Sequence, residues 1–239
     1  MKRLLVIATG LGLWGAGTVW GASATAVSVA TNGGRASSTA TAIGNSNSVA
    51  ISGATNGGVA EANSVATADR RGAADSRAVA TADRGLAISN SVADARGAVG
   101  GRAVADSESI AAAIGGVAIS NSDARADGTY FGRAVSRSSS TALSHYGTAV
   151  SDSRAESRGY LGGRASSVSD SLADAYGGRS DSRVRVISDA GYRARAESNG
   201  IGISASNRYT RGRADVHVEA RAARYGHSRA NVTVIDARR

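Results

Sequence analysis

The sequence predicts an all-β fold, a repetitive β-solenoid or β-roll of about fifteen 12–16-residue coils around a small Ala/Ser interior. Three observations carry this expectation. Small residues recur with a strict period of two, the repeat length suits one strand plus one turn, and large apolar side chains are too scarce for a thick core.

The alternation is clearest between Ala60 and Gly85. Ala60, Ala62, Ser64, Ala66 and Ala68, and then Ala74, Ser76, Ala78, Ala80 and Ala82, are separated by Glu, Asn, Val, Thr, Asp and Arg. A period of two sends one set of side chains to each face of a strand. The runs start at Ala24, Ala36, Ser48, Ala60, Ala74, Ala87, Ala103, Ala118, Ala134, Ala149, Ala165, Ser180, Ala194, Ala214 and Ala230. Early spacings are near 12 residues and later ones 13 to 16, with one of 20 where Gly200-Ile201-Gly202 interrupts the pattern. A recurring period of this kind marks a repeat architecture.

The composition agrees. There is no Pro, no Cys and one Phe, against 31 Gly. Ala and Ser remove little apolar area from water, worth roughly 25 cal/mol per Å². Stability is therefore expected from a complete backbone ladder and close sheet contact. The charged residues, among them Glu61, Asp75, Arg77, Asp106, Glu108, Arg125, Arg137, Asp152, Arg154 and Glu156, fall on the other face, which places Ala and Ser inside. Burying such charges without partners is costly.

Residues 1–24 read as a secretory signal peptide. Lys2 and Arg3 precede an apolar run from Leu4 to Trp20, and Ala22-Ser23-Ala24 is a cleavage site. Residues 25–239 form a single elongated β-repeat domain, with no membrane span expected in the mature chain. Charge is balanced from 25 to 178, with 13 Arg against 13 acids. From 179 to 239 there are 13 Arg against 6 acids. This basic C-terminal quarter suits phosphate, lipid headgroups or an acidic polysaccharide.

Alternation alone fits both an antiparallel meander and a solenoid. The seven tyrosines, Tyr130, Tyr146, Tyr160, Tyr176, Tyr192, Tyr209 and Tyr225, lie in or beside turns at spacings of 14 to 17 residues. In a solenoid with one repeat per coil they form one ladder on one edge, where stacked aromatics are favourable neighbours. Fifteen such coils make a rod of roughly 70 Å. Ile88, Val104, Ile119, Val135 and Val150 occupy equivalent places in consecutive repeats and form either an outer stripe or a second interior line. Arg137 and Asp152, on successive repeats, are placed to set register between neighbouring coils.

Asn47-Ser48-Val49-Ala50-Ile51-Ser52-Gly53, Asn63-Ser64-Val65-Ala66-Thr67-Ala68 and Asn90-Ser91-Val92-Ala93 resemble the head repeats of trimeric autotransporter adhesins (YadA-like heads). The resemblance covers residues 36 to about 175. It implies a left-handed parallel β-roll, three chains side by side, and a surface adhesin binding matrix proteins, host cells or other bacteria. The chain departs from the family in showing no stalk heptads and no barrel anchor pattern.

Candidate chemistry is sparse. The histidines are His145, His217 and His227, and no serine stands in a G-x-S-x-G context. Asp215, His217 and Glu219 share a strand face, but at about 7 Å between neighbours they are too far apart to share one metal. Gly177-Gly178-Arg179-Ser180-Asp181 is an incomplete match to a calcium-binding turn. Neither enzyme activity, nor a metal or other cofactor, nor nucleic acid is expected. The expected function is non-enzymatic: a secreted or surface-associated adhesin or extracellular structural protein. Its surface would be repeated Tyr and Arg, with Arg208, Arg211 and Arg224 beside the seven tyrosines. The expected partner is an extracellular glycan, matrix or cell-surface polymer, with a homotrimer or self-assembly possible in principle. The alternative is a self-assembling extracellular matrix or fibre subunit. The last repeat reads as a cap, which favours the adhesin.

Overall fold

The computed structural model describes residues 5–10, 22–31, 33–44, 46–68, 73–97, 102–128, 133–160, 163–176, 178–191, 195–206, 212–223 and 226–238. Among the described residues there are sixteen strands and no helix. In chain order they are β1 (Leu5–Gly10), β2 (Ala22–Ala30), β3 (Arg35–Ile43), β4 (Ser46–Ala54), β5 (Val59–Ala68), β6 (Ala73–Asp83), β7 (Leu86–Gly97) and β8 (Arg102–Ile114). They continue as β9 (Val117–Gly128), β10 (Arg133–His145), β11 (Thr148–Gly159), β12 (Arg164–Tyr176), β13 (Arg179–Ala190), β14 (Arg195–Ser206), β15 (Gly212–Ala222) and β16 (His227–Arg238).

The even strands β2 to β16 pair parallel in one sheet and the odd strands β3 to β15 in the other. β1 adds to the edge of β2 antiparallel. The expected β-solenoid is the fold observed. Each repeat unit supplies one strand, and two units close one turn. About five turns of roughly 31 residues follow shorter ones: Ala22 pairs with Ser46, 24 residues on, and Ala74 with Ala105, 31 residues on. Because two units share each turn, the eight parallel strands of the even sheet span roughly 35 Å along the axis, half the length expected. Strands of up to 13 residues reach about 43 Å across it. The result is a slab of two facing sheets.

Alternation fills the slab as the sequence requires. From β3 to β12 every second residue is buried, and nearly all of these are Ala or Ser. The serines are not interchangeable with the alanines. Many of them form two zigzag lines between the sheets, in which most hydroxyls donate to the carbonyl or hydroxyl of the preceding serine on the opposite sheet. In one line Ser107 bonds Ser91 at 2.8 Å, Ser122 bonds Ser107 at 2.8 Å and Ser138 bonds Ser122 at 2.8 Å. In the other, Ser120 bonds Ser109 at 2.7 Å, Ser140 bonds Ser120 at 2.6 Å and Ser151 bonds Ser140 at 2.7 Å. A buried hydroxyl is tolerated because it is paired. Alanine clusters flank the two lines.

Gly200-Ile201-Gly202 does not interrupt the pattern. Both glycines continue the inward row of β14, opposite valines. A Cβ on Gly200 would stand 2.6 Å from Val218 Cγ2, and one on Gly202 would stand 2.5 Å from Val216 Cγ2. Nor is the last unit an irregular cap. β16 pairs with β14 in register along its length, and Val232 and Val234 are exposed.

One edge of the slab is made by tight turns from even to odd strands. There a glycine column, Gly58, Gly85, Gly116, Gly147 and Gly178, stacks so closely that a Cβ at each position would overlap the carbonyl of the glycine on the preceding turn. The residue before the glycine adopts the left-handed conformation at Arg84 (φ 52) and Tyr146 (φ 59). The opposite edge is made by longer connections from odd to even strands.

Candidate binding surface

With the interior occupied by Ala and Ser, every charged and aromatic side chain that can meet a partner lies on the two outer faces or the two edges. Parallel pairing stacks residues about 31 apart into columns along the slab, with neighbours ~4.8 Å apart. The outer surface is therefore a set of ladders, some of one chemistry, such as Asn63–Asn90–Asn121, and others of mixed charge.

The tyrosines do not form one ladder. Tyr146 and Tyr176 lie on the glycine-column edge and Tyr160 on the opposite one, because successive units belong to opposite sheets. Tyr130, Tyr192, Tyr209 and Tyr225 lie outside the described residues, as do Arg208, Arg211 and Arg224. Tyr146 and Tyr176 meet edge to face with ring centroids 5.9 Å apart. His145 joins them, stacked on Tyr176 at 5.0 Å and edge-on to Tyr146 at 4.1 Å. Both tyrosines are exposed. His145 and Tyr176 line a groove of about 590 Å³ whose walls also include Thr81, Ile114 and Leu143. The strained left-handed backbone of Tyr146 costs of order 1–3 kcal/mol, a mark of a position held by its surroundings.

The apolar column Ile88–Val150 resolves into two. Ile88, Ile119 and Val150 stack on the odd sheet, and Val104 stacks on Val135 on the even sheet. A longer ladder was not seen in the sequence. Val27, Ile51, Val79, Ile110, Thr141, Leu172, Ile203 and Ile235 run in register along the outer face of the even sheet. Its signal is present at alternate units and is lost when consecutive units are compared.

The odd sheet carries the polar counterpart. Asn63, Asn90 and Asn121 form an amide ladder: Asn90 Nδ2 donates to Asn63 Oδ1 at 2.8 Å and Asn121 Nδ2 to Asn90 Oδ1 at 2.9 Å. At the base of that ladder, hydrogen bonds from Asn63 and then Arg35 hold the Glu61 carboxyl below its ordinary range. Asp152 continues the column above Asn121. Partial burial pushes its carboxyl above the usual range, and Asp123 and Asp181 add to the rise while Arg183 and Arg154 oppose it. Beside it Arg125 pairs with Asp123 at 2.8 Å, Arg154 with Glu156 at 3.0 Å and Arg158 with Glu156. Arg137 and Asp152 do not meet. Arg137 lies on the even sheet near Asp106, at 3.7 Å.

Among the described residues no group of three His, Asp or Glu is arranged to hold a metal ion. Asp215, His217 and Glu219 alternate along β15 on its outer face. No protein-family model matches the chain, and no curated protein or solved structure is a significant match to it.

Proposed function

We propose that this protein is a secreted or surface-associated, non-enzymatic adhesin or extracellular structural protein that binds repeating polymers. The observation that carries this reading is the ladder organisation of its surface. A rigid slab on which some ladders repeat one side chain every ~4.8 Å, as Asn63, Asn90 and Asn121 do, matches a ligand that itself repeats. Weak contacts then sum through effective concentration. The exposed Tyr146–His145–Tyr176 cluster supplies flat faces of the kind that stack on sugar rings. The resemblance of Asn47–Gly53 and Asn63–Ala68 to adhesin head repeats supports the same assignment, and a trimer is the corresponding assembly.

The test is adhesion of the purified protein to immobilised extracellular polysaccharides and matrix proteins, with particle shape and mass followed by negative-stain microscopy and light scattering. Discrete slabs of one to three chains that adhere to polymer agree with the proposal. Loss of adhesion on changing Tyr146 and Tyr176 to Ala locates the surface, and failure to bind any polymer overturns the reading.

A second reading, a self-assembling matrix or fibre subunit, is favoured by the apolar ladder from Val27 to Ile235. A partly exposed stripe of this length, open at Val27, Ile51 and Ile235 and half-buried between, suits a self-association surface. Filaments or sheets that grow with concentration, and that Ile110→Lys abolishes, would establish it in place of the first.

A further inference from the structure

Two charged ladders stand on the edge made by the odd-to-even connections, and they follow opposite rules. On the odd sheet Arg96, Asp127, Arg158, Asp189 and Arg221 stack in register, so that the sign alternates at every turn. Asp127, Arg158 and Asp189 each have opposite charges above and below. On the even sheet the first residue of successive strands is arginine: Arg102, Arg133, Arg164 and Arg195 stack in register, and His227 follows.

All four arginines are exposed. Among the described residues none forms an ion pair within 4 Å, whereas Arg77, Arg125, Arg137, Arg154, Arg158 and Arg183 do. Arg102 acts on Asp106 only through its field. Like charges directly opposite one another across strands are destabilising, and the neighbouring ladder shows that this repeat can avoid the penalty. At the end of the column a groove of about 340 Å³ is lined by Arg195, His227, Ser228 and Arg229. This adds a concave basic site to the linear one.

We infer that the Arg102–Arg133–Arg164–Arg195 ladder is a binding track for a linear polyuronate, a polysaccharide with one carboxylate per sugar. The inference rests on the polymer-binding function proposed above and names the ligand class and the residues. The repeat decides the class. The strands that carry the arginines recur every ~4.8 Å, close to the advance of one sugar along an extended chain, so the carboxylates on one side of the polymer keep step with the column. Each guanidinium fork donates two parallel hydrogen bonds to a carboxylate, which a lysine cannot do. The phosphates of a single DNA strand in a duplex advance by about 3.4 Å and fall out of step within a few turns. Tyr160, exposed on the same edge, offers a ring face to a sugar lying along the track.

The experiment is calorimetric titration of the purified protein with an oligogalacturonate of defined length, its methyl ester and polyphosphate, at several salt concentrations. The oligogalacturonate should bind with an affinity that falls as salt rises, and the methyl ester should not bind. Arg133→Gln/Arg164→Gln should weaken binding by about tenfold or more and flatten the salt dependence. Arg96→Gln/Arg158→Gln, with the same charge removed from the same edge, should leave affinity unchanged. Arg133→Lys/Arg164→Lys keeps the charge and should lie between. Thermal unfolding serves as the folding control, and removing the like-charge stack should leave the midpoint equal or higher. Equal losses in the two glutamine variants, or preference for polyphosphate, would overturn the assignment. Oligogalacturonate binding that ignores the ladder variants would also overturn the track while leaving the polymer-binding function standing. Absence of binding to all three probes overturns the track, and the adhesion assay then decides the broader reading separately.

Discussion

From β4 to β12 the sheets are held together by serine hydroxyls reaching across to the opposite backbone, whereas over β13 to β15 valines pack against glycines. The first arrangement uses residues of nearly equal size and pairs most buried hydroxyls across the sheets, as at Ser109, Ser120 and Ser140. The second pairs large with small: Val184 and Val186 are buried, Val216 and Val218 pack on them, and Gly200 and Gly202 face them without a Cβ. Both keep the same thin interior. The difference teaches that a thin interior between two sheets can be filled either by small residues of similar size or by unequal complementary ones.

This comparison can be broken most severely at the glycines. Gly200→Val inserts a branched side chain where a Cβ alone already meets Val218, and should cost about 3 kcal/mol in urea unfolding. Pairing it with Val218→Ala should recover much of the loss, and strict additivity of the two changes would refute size complementarity. Val186→Ala, at a fully buried site, should cost about 2 kcal/mol by leaving a cavity. Ser120→Ala should cost about 1 kcal/mol, because the donation to Ser109 and the weaker contact from Ser140 are lost while the shape is kept. A Ser120→Ala loss as large as that at Val186 would mean that the serine line carries more than its individual bonds.

The smallest effect is on the outer face and has the opposite sign. Asp152→Asn extends the Asn63–Asn90–Asn121 ladder by one amide and should stabilise the protein by up to ~1 kcal/mol at neutral pH. The sign follows from linkage. The Asp152 carboxyl is raised in the fold, so the folded state holds its proton where the unfolded chain has released it. Its contribution to stability falls as pH rises through that interval and remains unfavourable above it. The advantage of Asn should therefore be full at neutral pH and vanish below the ordinary aspartate range. A pH-independent difference between the two proteins would show that ladder geometry, rather than ionisation, is responsible.

Much of this molecule was legible in the sequence because alternation is a local property of the backbone. Ala60, Ala62 and Ser64 face one way in any extended strand, and their small size dictates that two sheets must approach closely. The inward Ala/Ser set, the outward charges, the strand count and the solenoid class all follow from that. The spatial neighbour of each residue does not. A turn of one strand and a turn of two bury identical faces, so the pattern of Ala and Ser is the same for both. Only the paired sheets decided that Arg133 stacks on Arg102 and Arg164, and that Tyr160 is parted from Tyr146 and Tyr176. The ladders from Val27 to Ile235 and from Arg102 to Arg195 were present in the chain at every second unit. They became surfaces only when backbone pairing brought residues about 31 apart to within one strand spacing.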